Sequence, residues 1–69
     1  MNNLDEITKL IKGKNFPLHW VCENGYLEVA GLLVKNGANI NERNNHGYTP
    51  LHWACFNGHL EVAELLIKN

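Results

Sequence analysis

The sequence predicts an all-α repeat fold, an α-solenoid of stacked helix-turn-helix units with one β-hairpin or finger loop between units. Three observations carry this. The stretch from Pro17 to Asn36 returns from Pro50 to Asn69, 33 positions later, with 15 of 20 residues identical. A fixed period of about 20–50 residues is the signature of stacked repeats. Within each copy the apolar residues recur at helical spacing, and helix-starting and helix-stopping residues stand where those runs begin and end. The connector between the copies, Asn36 to Tyr48, is dense in Asn and Gly and reads as turn-forming chain.

The elements follow in order. Leu4, Ile7, Leu10 and Ile11 have helical spacing and stop at Gly13. Residues 4–12 are expected to form a helix whose polar face carries Asp5, Glu6, Lys9 and Lys12, as the terminal unit of a stack requires. In the first copy, Leu18, Val21 and Cys22 share a helical face and Gly25 ends that helix. Val29, Ala30, Leu32 and Leu33 mark the buried stripe of a second helix. The connector is expected to be an extended hairpin with a tight turn near Asn44 to Gly47. In the second copy, Thr49 caps a helix opening at Pro50, whose missing N–H costs nothing at that position. Leu51, Ala54 and Cys55 fall on one face, and Gly58 stops the helix. The last helix buries Val62, Leu65 and Leu66, with Glu61 near its start and Lys68 near its end to match the helix dipole.

The expected organisation is a degenerate capping helix over 1–14, a first repeat with its hairpin over 15–47, and a second repeat over 48–69 that stops within its outer helix. No polar cap follows Asn69. The stacking face there, including parts of Leu51, Cys55, Leu60, Val62 and Leu66, is therefore expected to stay open unless self-association or a longer array covers it.

Composition limits the function classes. The chain has 69 residues, 45% hydrophobic and 19% charged, with a formal net charge of −1. That balance creates no field for drawing in nucleic acid or an anionic membrane. The six basic residues, Lys9, Lys12, Lys14, Lys35, Arg43 and Lys68, are scattered and form no aromatic-basic face. No apolar run approaches the length of a membrane span. Met1 to Glu6 is polar and acidic, unlike a signal peptide. The expected location is intracellular, cytoplasmic or nuclear, with Cys22 and Cys55 as reduced thiols. No phosphate-binding loop is present: Gly13-Lys14 lacks both the preceding Gly and the hydroxyl residue. No cofactor is expected.

The period and the run Thr49-Pro50-Leu51-His52-Trp53-Ala54, followed by Asn57-Gly58-His59-Leu60-Glu61-Val62-Ala63, resemble the ankyrin repeat. Gly37-Ala38-Asn39-Ile40-Asn41 ahead of it fits the same pattern. The resemblance covers about residues 15 to 69. The first unit departs from it, with Phe16 in place of the capping Thr and Val21 in place of Ala. The resemblance implies a module that binds a protein partner on a concave face built from hairpin tips and inner helices, without catalysis. Carried over position by position, the family's variable contact residues are Arg43, Asn45, His46 and Tyr48 in the hairpin. On the inner helices they are Glu23 and Asn24 in the first unit and Phe56 and Asn57 in the second. The alternative reading is a self-associating structural fragment of a longer array.

Several residues invite a sharper chemistry. His19 and His52 could be acid–base groups, but no partner residue follows at a suggestive spacing. The resemblance implies instead that they tie adjacent repeats together by hydrogen bonds to backbone. His19 with Cys22, and His52 with Cys55, give two His-x-x-Cys pairs, the donor types of a zinc site. Stacked equivalents lie about 8–10 Å apart, too far to share one ion at about 2.0–2.3 Å. Both Cys are expected to be small buried apolar residues, and zinc could then be held only between chains. Trp20 and Trp53 are expected to pack where the inner helices meet, with part of a ring lining a binding groove as the alternative. Tyr48 is either a hot spot or a residue packed over the hairpin.

Overall fold

The structure, a computed structural model, describes residues 7, 9 and 11–69. Among the described residues, four helices with both ends defined follow one another: α1 (Pro17–Asn24), α2 (Leu27–Lys35), α3 (Pro50–Phe56) and α4 (Leu60–Lys68). They form two helical pairs, α1 with α2 and α3 with α4, and the pairs stack. The broadest contact joins α1 to α3, with α2 against α4 behind it, so α1 and α3 make the inner layer and α2 and α4 the outer. Ile7, Lys9 and Ile11 are helical, Ile11 is buried, and Ile7 packs against the core. Leu4, Asp5, Glu6 and Leu10 of the expected capping helix lie outside the described residues.

Each pair turns on the same device. Gly25, at φ 72°, lets the N–H of Tyr26 reach the carbonyl of Val21 (3.1 Å) while its own N–H reaches Cys22 (3.3 Å). Gly58 repeats this at φ 72°, with His59 N–H on Ala54 (2.8 Å) and its own N–H on Cys55 (3.1 Å). This crossed pair of bonds satisfies carbonyls that the helix end would leave orphaned. Asn24, Asn36, Asn57 and Asn69 add a second seal: each side-chain amide donates to the carbonyl four residues back. The abundance of Asn at helix ends thus has a mechanical cause.

The helix starts differ. Thr49 is extended (φ −90°, ψ 166°), and its N–H donates to His52 Nδ1 at 3.1 Å, with its hydroxyl oxygen also 3.1 Å from that nitrogen. His52 here does what Glu or Gln does in a capping box. In the first unit Phe16 stands in the place of Thr49 and has no hydroxyl. Its ring meets His19 edge-on at 5.2 Å, and His19 Nδ1 is buried with no hydrogen-bond partner.

The core is one cluster of Ile11, Leu18, Val21, Cys22, Val29, Ala30, Ala54, Val62, Ala63 and Leu66. Small residues at 22, 30, 54 and 63 let the helices approach closely. Three expectations are corrected here. Leu32 is exposed, because it lies on the outer flank of α2 while Val29 and Ala30 turn inward. Val62 and Leu66 are buried, as the stripe expected for the last helix has them, and are corrected only as members of the open face, where Leu60 is exposed as expected. Cys55 is exposed although Cys22 is fully buried.

The connector is also corrected. No strand occurs among the described residues, and residues 36–49 form a finger loop, not a β-hairpin. The tight turn is where the sequence placed it: Gly47 N–H donates to Asn44 O, and Asn44 N–H donates to Tyr48 O, both at 2.9 Å. Asn side chains take the remaining donors. Asn44 Oδ1 accepts from His46 and Tyr48 N–H, and Asn39 Oδ1 accepts from Asn41 N–H. Short polar side chains that bind nearby backbone compete with a ladder in this way.

Two consequences are measurable by denaturant unfolding. A Cβ at Gly25 would sit 2.6–2.9 Å from the His59 ring, whereas one at Gly58 meets nothing within 4 Å. Both positions carry the left-handed strain of about 1–2 kcal/mol for a non-Gly residue. Overpacking adds about 1–3 kcal/mol at the first alone. Gly25→Ala should therefore cost about 2–5 kcal/mol and Gly58→Ala only the about 1–2 kcal/mol of the strain; equal losses would remove the close contact from the argument. Phe16→Thr supplies the missing partner for His19 Nδ1 and a cap for α1. An unpaired buried acceptor and an absent cap each cost about 1 kcal/mol or more, against about 1 kcal/mol for the half-buried Phe surface lost. A net gain of about 1 kcal/mol is expected, and a loss would show that the Phe16 ring outweighs the cap.

Candidate functional site

The finger loop and α3 together build an aromatic ridge. Its foundation is the backbone of Tyr48. The Tyr48 carbonyl accepts from Asn44 N–H at 2.9 Å and from His19 Nε2 at 2.8 Å. The Tyr48 N–H donates to Asn44 Oδ1 at 3.0 Å. Both backbone groups are spent on structure, so the loop tip is pinned to the first unit while the side chain stays available. His19 is 4% exposed, so its bond to Tyr48 is shielded from water. This is the repeat-tying role the resemblance implied for that residue.

The Tyr48 ring packs edge-on against Trp53 (5.8 Å, 82°) and lies tilted over His52 (5.3 Å, 33°) and beside His46 (6.2 Å, 35°). Edge-to-face contact is a favoured aromatic geometry and holds the ring in place. Tyr48, His52, Trp53 and Phe56 line a depression of about 230 Å³ with apolar walls. Phe56 stands at its margin with 85% of its surface in water, an unusual position for a Phe. Tyr48 is 44% exposed, so the two readings of it coincide: one face of the ring packs and the other remains open.

All eight residues carried over from the resemblance are exposed: Glu23, Asn24, Arg43, Asn45, His46, Tyr48, Phe56 and Asn57. The structure gathers Tyr48 and Phe56 around Trp53, with His46 beside Tyr48. Asn24 and Asn57 have their amide groups engaged on Trp20 O and Trp53 O, which leaves their carbonyl oxygens for any partner. Glu23 contributes its main-chain carbonyl, which accepts from His59 Nε2 at 3.0 Å across the two units. His59 was missed by the sequence reading as a tie between units. The signal was its place in the duplication, where the first copy has Tyr26.

Trp53 belongs to the groove, as the alternative reading of it had it, and it packs against the core as well. Trp20 packs on Tyr26 at 5.6 Å, with the Lys14 ammonium 5.3 Å from its ring centre. The His-x-x-Cys pairs do not converge. Among the described residues no group of three or more His, Cys, Asp and Glu is placed to hold a metal ion. Burial pushes the Cys22 thiol up to about 12 from an ordinary 9.0, so it stays protonated and is a poor ligand at neutral pH.

Among the described residues, no helix is long and apolar enough to cross a membrane. The family profile of ankyrin repeats, in three copies, matches residues 1–69. The E3 ubiquitin-protein ligase XBAT33 of Arabidopsis thaliana is 49% identical over 37 residues, which is 54% of this chain and 7% of that protein. An ankyrin repeat protein of Rickettsia bellii is 41% identical over 44 residues, 64% of this chain and 18% of the relative. The chain thus spans under a fifth of the length of either relative. With the period, the paired helices, the finger loop and the His19 tie all in place, the chain belongs to the ankyrin-repeat family.

Proposed function

We infer that the chain binds a protein partner on its concave face and has no chemistry of its own. Ankyrin repeats are protein-protein interaction modules, and the site on this one follows from its surface. The observation that carries the reading is the aromatic ridge, in which Tyr48 and Phe56 stay in water beside an apolar depression. Exposed aromatics around a small pocket are what interface hot spots are made of. The depression, at about 230 Å³, is below the roughly 300 Å³ at which small-molecule sites begin, and it suits one apolar side chain of a partner. Arg43, His46 and Asn45 on the finger, with Glu23, Asn24 and Asn57 at the helix ends, form the polar surround. In this reading residues 1–14 cap the stack, 15–47 and 48–69 are its two repeats, and the setting is intracellular, with Cys22 and Cys55 both free thiols.

Panning a random peptide library against the immobilised chain tests this. Recovered ligands should carry an aromatic or aliphatic anchor. Tyr48→Ala and Phe56→Ala should each weaken them by about 30-fold, equivalent to about 2 kcal/mol, with helical circular dichroism unchanged. Ligands that bind both variants as tightly as the parent would put the site elsewhere.

A second reading is favoured by Leu60, which is 79% exposed, and by Cys55, which is exposed as well. In it the chain associates through that face as part of an assembly. Sedimentation equilibrium across a wide concentration range separates the two, since a monomer throughout removes the second.

A further inference from the structure

Three of the Asn residues that seal helix ends are followed directly by Gly: Asn24-Gly25, Asn36-Gly37 and Asn57-Gly58. Such a pair carries both reactants of a cyclisation. The main-chain nitrogen of the Gly can attack the Asn Cγ, because Gly has no side chain to block the approach and its backbone turns freely. A bond forms from that nitrogen to Cγ and the Cγ–Nδ2 bond breaks. The amide leaves as ammonia, taking the proton that the main-chain nitrogen gives up. Water then opens the five-membered imide at one or the other carbonyl, leaving Asp or isoAsp. Water is consumed, ammonia is released, and no oxidant or reductant is needed.

The fold holds both reactants apart. Asn36 Nδ2 donates to Leu32 O at 2.7 Å, and Gly37 N–H donates to Val34 O at 3.1 Å. Asn24 Nδ2 donates to Trp20 O at 2.8 Å, and Gly25 N–H donates to Cys22 O at 3.3 Å. The leaving amide and the attacking nitrogen are thus both spent on helix carbonyls, and reaction waits for the helix end to open. What opening requires differs between the two sites. The bonds at Asn36 all run within α2 and its end, including Ala38 N–H to Leu33 O at 2.9 Å. A Cβ at Gly37 would meet nothing within 4 Å. Fraying of one exposed turn therefore frees both groups, and such openings are the least costly that a fold undergoes. Asn24 is held on both sides by the second unit. The Glu23 carbonyl accepts from His59 Nε2 at 3.0 Å, and Gly25 lies so close under that ring that a Cβ would be 2.6–2.9 Å away. The end of α1 cannot open until His59 lets go.

We propose that Asn36 is a site of spontaneous conversion to Asp and isoAsp, gated by opening of the last turn of α2, and that His59 shields Asn24 from the same reaction. The product at Asn36 cannot reseal the helix. A carboxylate has no N–H for Leu32 O, and its charge opposes the helix dipole at that end. IsoAsp also adds a methylene to the main chain where α2 passes into the finger loop. Asn24 and Asn36 both lie in the first unit, so the contrast does not depend on what adjoins the second. It is equally independent of the partner inferred for the aromatic ridge.

The test holds the chain in mildly alkaline buffer with and without urea and follows each Asn by mass spectrometry of its peptides. Each site's rate in buffer is divided by its own rate in urea, which removes differences of local sequence. Folding should slow Asn24 at least about fivefold more than Asn36, the factor that one net hydrogen bond supplies. His59→Ala should bring the two sites to equal slowing. Where that chain fails to fold, His59→Phe keeps a ring over Gly25 without the donor and should narrow the difference. Asn36→Asp should lower Tm by about 4–8 °C, as loss of one such seal does in a domain of this size. Equal slowing in the parent chain overturns the proposal, because both sites would then open only with the whole fold. Asn36 reacting as fast in buffer as in urea overturns the gating, and a difference undiminished by the His59 changes overturns the shielding. An unchanged Tm in Asn36→Asp overturns the claim that the product leaves the helix end unsealed.

Discussion

Neither helical pair in this chain can bury its own apolar face, and the contact of α1 with α3 is the constraint from which the rest follows. Val21, Cys22 and Ala54 reach zero exposure only because one inner helix lies on the other. A repeat protein is held by such nearest-neighbour interfaces, with little contribution from contacts far apart in sequence. Burial supplies the stabilisation, while His19 and His59 set the register. Each donates across the two units to a main-chain carbonyl, on Tyr48 and Glu23. A hydrogen bond of this kind is worth only about 0.5–1.5 kcal/mol net, so its main effect is to forbid the units from sliding.

That same pinning produces the surface. A loop as rich in Asn and Gly as residues 36–48 would ordinarily sample many conformations. Here Asn44 closes the turn with its own backbone and side chain, and His19 holds the far end from inside the first unit. The Tyr48 side chain is thereby presented on a fixed backbone, and Trp53 steadies the ring from α3. Preorganisation of this sort reduces the ordering cost of binding, which matters when the contact area is small.

The family supplies the scaffold, and the particular surface lies in residues the repeat leaves free. Position 56 shows this most clearly. Its counterpart in the first unit is Glu23, and both side chains face water while both carbonyls sit at an inner helix end. Nothing in helix or core formation selects Phe over Glu there. A residue that folding does not require is one that recognition is free to use.

The sequence by itself determined what is local. The 33-residue duplication, the Pro starts, the αL turns at Gly25 and Gly58, the Thr49 cap and the turn at Asn44 to Gly47 all depend on residues within a few positions of each other. Their chemistry could be read directly from the chain. The tertiary structure decided whatever distinguishes two copies of one sequence. Cys22 and Cys55 stand at the same position of the repeat, yet one thiol is sealed and the other lies in water, because burial is set by what stacks above and no local pattern encodes it. The finger loop replaced a hairpin because Asn39 and Asn44 side chains captured the donors a ladder needed, a competition that composition does not resolve. His59 emerged as a tie between units only when its ring was seen over Gly25, a contact between residues 34 positions apart.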